Sequence, residues 1–162
     1  MLTAATFAKL RWWLMFNLIL VGLVITYMTG GIHFLDDADK SKISLVTLGV
    51  FLIATAFVGR LTMALRHNDN LGEQHSKQVE ALWFISELLM GLGIVGTVLG
   101  IIMTFGNDIN SFNFADAEAV KKATLSMSKS LTQAFVTTLV GMSTSLLLKL
   151  QLVNLDLGRT KV

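Results

Sequence analysis

The side chains of this chain with the most chemical potential are hydroxyls set in apolar sequence. The run Gly-Leu-Gly-Ile-Val-Gly-Thr-Val-Leu-Gly that ends at Gly100 holds four glycines and one threonine in ten residues. At about 3.6 residues per turn, Gly93, Thr97, Gly100 and Thr104 fall on one helical stripe. A second apolar segment, 131–148, repeats the design with Ala134, Thr138, Gly141 and Ser145. A hydroxyl both donates and accepts, so such faces can hydrogen-bond a carboxylate in either protonation state or hold a water within a bilayer. The bland alternative is packing. Gly96-x-x-x-Gly100 is a small-xxx-small motif that lets helices approach closely, and a membrane threonine commonly bonds its own i−4 carbonyl. From the residues alone both readings stand.

Other chemistries find less support. The three histidines, His33, His67 and His75, fall in or beside loops, and no nucleophile–base pair or phosphate-binding loop accompanies them. His67 and His75 are too far apart for one-turn metal pairing on a helix. With no cysteine there is neither a disulfide nor a thiolate metal site. These features argue against an enzyme, and no cofactor or metal is expected. Net charge is +2 with dispersed cations, which gives no footprint for nucleic acid. Two charges border the apolar runs. Arg60 reads as a side chain that snorkels to the interface. Glu87 is either an interfacial charge or a relay for ions entering the membrane.

The elements that position these groups are transmembrane helices. The chain has 162 residues, 53% hydrophobic and 15% charged, with a mean hydropathy of +0.65. A soluble domain carries roughly 25% charged residues, and the deficit here extends over most of the chain. Uncharged runs cover Trp12–Leu35, Ile43–Gly59 (continuing to about Leu65), Leu88–Asn107 and Ser130–Leu148. Each approaches or exceeds the roughly 17–25 residues of a spanning helix. The alternating strands of a membrane β-barrel are not present in the sequence. The first run is too long for a signal peptide and lacks a clear cleavage site. The fold class expected is an all-α membrane protein with four spans. Lys9, Arg11, Arg66, Lys77, Lys149, Arg159 and Lys161 flank one side, while Asp36, Asp37, Asp39, Asp108, Asp116 and Glu118 mark the other. The positive-inside rule places both termini and the middle loop in the cytoplasm.

The spans divide into two kinds. The first two are bulky and read as an outer, lipid-facing layer, with Trp12 and Trp13 at the interface. The third and fourth carry the small and hydroxylated residues and read as the inner pair. The middle connection, about 66–82, is expected to be a helical extension. Residues 116–128 also read as helix, with Asp116 as N-cap, lying on the outer surface before turning into span four.

The sequence Gly93-Ile-Val-Gly-Thr-Val-Leu-Gly-Ile-Ile resembles the inner-helix signature of the MotA/TolQ/ExbB proton-channel family. Gln133-Ala-Phe-Val-Thr-Thr-Leu-Val-Gly141 is similar to that family's second signature. The resemblance covers about residues 87–151. Together with the uncharged runs, it divides the chain into an outer hairpin over 1–65, a short cytoplasmic connection over 66–82, a pore hairpin over 83–151 with spans at about 84–106 and 129–150, and a tail over 152–162. It implies a homo-oligomeric ring, usually a pentamer, in the bacterial inner membrane. The ring encloses a pair of single-span partner helices of the MotB/TolR/ExbD type, whose aspartate carries H+ or Na+. By that resemblance Thr97, Thr138, Thr137, Gln133 and Thr104 belong to the ion pathway. Gly93, Gly96, Gly100, Ala134, Gly141 and Ser145 form the surfaces for helix packing and for the partner. The chain departs from many transport-type members at Met90 and Leu147, where they carry proline, and at Gln133, where they carry glutamate. Its middle connection is far shorter than the cytoplasmic domain of flagellar stators. A contact with a flagellar rotor is therefore not expected here.

Overall fold

The computed structural model describes residues 4–31, 42–64, 72–108 and 117–159. They form four helices: α1 (Ala4–Met28), α2 (Ile43–Ala64), α3 (Gly72–Asp108) and α4 (Ala117–Arg159). Every one contains a segment long and apolar enough to cross a membrane, at Thr6–Met28, Ile43–Ala64, Ser76–Ile102 and Ala134–Gly158. With no proline in the chain, nothing removes a helical hydrogen bond inside α3 or α4. They run 37 and 43 residues. At about 1.5 Å per residue both exceed a hydrocarbon core of about 30 Å and must project beyond it. The end of α1 is a left-handed glycine cap: Gly30 has φ 73° and its N–H donates to the Tyr27 carbonyl at 3.2 Å.

α3 and α4 form the central antiparallel pair, with Gly93 opposite Gly141 and Gly100 opposite Ala134. α2 packs on both, and α1 packs on α4 and α2. The apolar core threads all four helices through Trp12, Phe51, Val58, Leu61, Leu82, Leu89, Leu148, Leu152 and Leu155.

Several expectations change. α2 is not a simple lipid-facing layer. In its span 39% of residues are buried, the same share as in α4, against 6% in α1. The buried set is Ser44, Thr47, Phe51, Ala54, Thr55, Val58, Gly59, Leu61 and Thr62, one stripe recurring every three or four residues. Hydropathy alone conceals this stripe, because threonine and alanine do not lower the average enough to mark an inward face. Trp12 is buried with its indole against Gly59, so it packs α1 onto α2, while Trp13 is exposed. The helix that begins at Ala117 does not lie on the surface and turn. It is continuous with the fourth span, since no glycine or proline interrupts 117–140. His33, His67 and Asp116 lie outside the described residues.

Candidate functional site

The site is the crossing of α3 and α4, and its glycines set how close the two backbones come. A Cβ on Gly141 would fall 2.6 Å from the Gly93 Cα and 2.8 Å from the Leu89 carbonyl oxygen. A Cβ on Gly93 would lie 3.0 Å from the Gly141 Cα. One helical turn away, Gly96 sits against Thr137 and Ile43, and beyond it Gly100 meets Ala134 at ordinary contact distance. The two small-residue stripes therefore face each other, with backbone packed on backbone.

That closeness brings three hydroxyls together. Thr97 Oγ1 lies 3.0 Å from the Gly93 carbonyl, 3.0 Å from the Ala134 carbonyl across the interface and 3.3 Å from Thr137 Oγ1, and it contacts Thr138 Oγ1 directly. Thr137 donates to the Ala134 carbonyl at 2.8 Å, and Thr138 lies 3.5 Å from the Gly93 carbonyl. Thr97 has one proton and several acceptors in reach, so its hydroxyl can turn from one oxygen to another without losing a partner. A group that approached this cluster could be offered a donor or an acceptor at the same point.

The third element decides which threonines stay open. On α3, Gly96 and Thr97 are about 100° apart, on either side of the line that meets α4. Thr137 and Thr138 stand likewise on α4. α2 covers the Gly96 and Thr137 side through Ile43, so Thr137 is buried. Thr97 and Thr138 lie on the opposite side and remain half-buried. That side of the pair, free of α1 and α2, continues with exposed Ile94, Met142 and Phe135.

The other candidate residues are placed as follows. Ser145 is buried within the bundle. Glu87 is exposed on α3, ten residues before Thr97. Thr104 and Gln133 belong to α3 and α4, but their side chains lie outside the described residues.

The sequence reading missed a second polar layer, nearer the end where α1 starts and α4 finishes. Gln151 is 1% exposed and donates to Thr55 of α2 at 3.4 Å. Asn154 donates to the Ala8 carbonyl of α1 at 3.0 Å. Gln151 Oε1 and Trp12 Nε1 are buried without a hydrogen-bond partner. Closing the uncharged run at Leu148 leaves Gln151 at the very end of the expected pore hairpin and Asn154 in the expected tail, with no packing role for either. The available signal was the seven-residue spacing of Thr137, Thr144 and Gln151, all buried on one face of α4.

A sequence profile of the MotA/TolQ/ExbB proton channel family matches residues 60–159, from the last turn of α2 through α3 and α4. No curated protein and no solved structure matched the chain.

Proposed function

Because the chain belongs to the MotA/TolQ/ExbB proton channel family, we propose that this multi-pass membrane protein is the ion-conducting subunit of an ion-driven motor complex in the bacterial inner membrane, not an enzyme. In this reading several copies, five in the usual arrangement, form a ring with the open side of each α3–α4 pair facing the centre. A pair of single-span, aspartate-bearing helices of the MotB/TolR/ExbD type occupies the lumen. H+ or Na+ carried on that aspartate drives rotation or force.

The observation that carries the proposal is the contact between Thr97 and Thr138 on the side of the pair that α1 and α2 leave open. A buried carboxylate without hydrogen bonds is prohibitive in hydrocarbon. Two hydroxyls able to donate to an aspartate or accept from an aspartic acid would serve it in both states. Thr138→Val keeps the shape and removes the hydroxyl. Ion flux out of inverted membrane vesicles, whose lumen corresponds to the periplasm, should then fall to background while the complex still assembles. Normal flux would refute the role of Thr138.

The second reading, a structural subunit whose Gly and Thr faces only pack helices, is favoured by the Gly93–Gly141 crossing. It expects Thr97→Ala and Thr138→Val to be tolerated while Gly96→Leu disrupts assembly. The three variants measured in parallel separate the two readings.

A further inference from the structure

Outside the threonine cluster, two charges of opposite sign stand at one level of the α3–α4 pair. Glu87 lies within the apolar segment Ser76–Ile102 and is exposed, whereas Lys149 lies within Ala134–Gly158 and is half-buried. The antiparallel register is fixed by Gly93 against Gly141. Glu87 is six residues from the first and Lys149 eight residues from the second, in the same axial direction. At about 1.5 Å per residue their levels differ by roughly 3 Å. Leu89, Leu82, Leu148 and Leu152 keep the two helices packed through this level.

Both charges also occupy the open side. Lys149 follows Thr138 by eleven residues, close to three full turns, and so stands nearly in line with it. Glu87 precedes Thr97 by ten residues, which rotates it about 80° further from Gly96 and from α2. The aliphatic lysine stem lets its ammonium travel along apolar surface towards a carboxylate. An isolated charge in or bordering an apolar span is costly, and these two can offset each other.

We propose that Glu87 and Lys149 of one subunit pair across the open side of α3–α4, and that the carboxylate so held is the next cation acceptor after the threonine cluster. This rests on the channel reading above, in whose orientation the two residues stand at the cytoplasmic mouth. For a proton, the partner's carboxylic acid gives it up to water in the lumen, and the Glu87 carboxylate, about 15 Å nearer the cytoplasm along α3, takes it from that water and becomes a carboxylic acid. Release to cytoplasmic water restores the carboxylate and its pairing with Lys149, which stays an ammonium throughout. A sodium ion would leave through the same carboxylate oxygens. Lys149 is a positioning residue: it holds Glu87 at the mouth and offsets its charge between passages.

Two measurements in native membranes test this. A water-soluble carbodiimide joins a carboxylate and an amine in contact without a spacer. Peptide mass spectrometry should find a Glu87–Lys149 amide that is absent from Glu87→Gln. Mixing isotope-labelled and unlabelled chains should place it within one subunit. No such link, or one found only between subunits, overturns the pair. In inverted vesicles Glu87→Gln should lower cation flux by about a hundredfold with assembly intact. Lys149→Met should lower it less, and Lys149→Arg should retain it. Normal flux in Glu87→Gln alongside loss in Thr138→Val overturns the relay alone. Normal flux in both overturns the channel reading and the relay that rests on it, while the cross-link still reports on the pair.

Discussion

Gly93 and Gly141 are in backbone contact across the two central helices, and neither position has room for a side chain. The Cβ that any other residue would add to Gly141 meets the Gly93 Cα at 2.6 Å and the Leu89 carbonyl oxygen at 2.8 Å. Both obstacles are backbone, so only separation of the helices relieves them. This crossing holds Thr97 within reach of the Ala134 carbonyl and of Thr138.

Glycine substitutions should accordingly grade by position. Gly141→Ala forces an overpacked contact of about 1–3 kcal/mol. Gly93→Ala, with its closest approach at 3.0 Å, should cost less. Gly91→Ala meets nothing within 4 Å and should be neutral or slightly stabilising, since alanine is the better helix former. Thermal unfolding in detergent gives the order, and equal effects at all three sites would contradict this crossing.

Thr97→Val should separate stability from conduction. The Ala134 carbonyl keeps its bond from Thr137, so the loss in stability should be near the roughly 0.6 kcal/mol typical of interhelical hydrogen bonds in membranes. Ion flux should nevertheless be lost, and Thr97→Ser should restore it. A stability loss of several kcal/mol, read from unfolding, would show that the hydroxyl is chiefly structural.

Trp12 and Gly59 should behave as a coupled pair. A Cβ at Gly59 would run into the indole ring of Trp12, so Gly59→Ala must displace that ring or push α1 off α2. Trp12 also stacks on Phe16 at 5.4 Å between ring centres, which limits its freedom to move aside. Gly59→Ala should lower the melting temperature, and Trp12→Leu added to it should recover part of the loss. Simple additivity in the double-mutant cycle would count against this contact.

The two buried amides should part company. Gln151→Leu removes a long 3.4 Å bond together with an oxygen that has no partner, so stability should hold or rise. Asn154→Leu removes the 3.0 Å bond to Ala8 that fastens α4 to α1 and should cost about 1 kcal/mol. Limited proteolysis near residue 8 should be faster in Asn154→Leu and unchanged in Gln151→Leu.

Much of the fold was legible because spanning a membrane demands long uncharged runs, and such runs are visible without any alignment. The stripes around Thr97 and Thr138 were legible for a related reason: glycine and threonine stand out in a span where lipid favours bulk. The inward face of α2 was not legible, because Thr47, Thr55 and Thr62 are too mild to stand out from their apolar neighbours. Gln151 and Asn154 were obscured by Lys149, a charge that reads as the end of a span although the helix and its packing continue past it.

By itself the sequence determined that this is a membrane chain with four apolar spans, with two small, hydroxyl-bearing faces and a family signature on them. Hydrophobic length and residue size are properties each segment carries alone. Only the tertiary structure decided that these faces meet each other, and that α2 covers Gly96 and Thr137 while Thr97 and Thr138 stay open. Only the register of that crossing brings Glu87 level with Lys149. The reason is physical: periodicity fixes angles around one helix, whereas the relative height and rotation of two helices follow from where their backbones can touch. Here that place is Gly93 against Gly141.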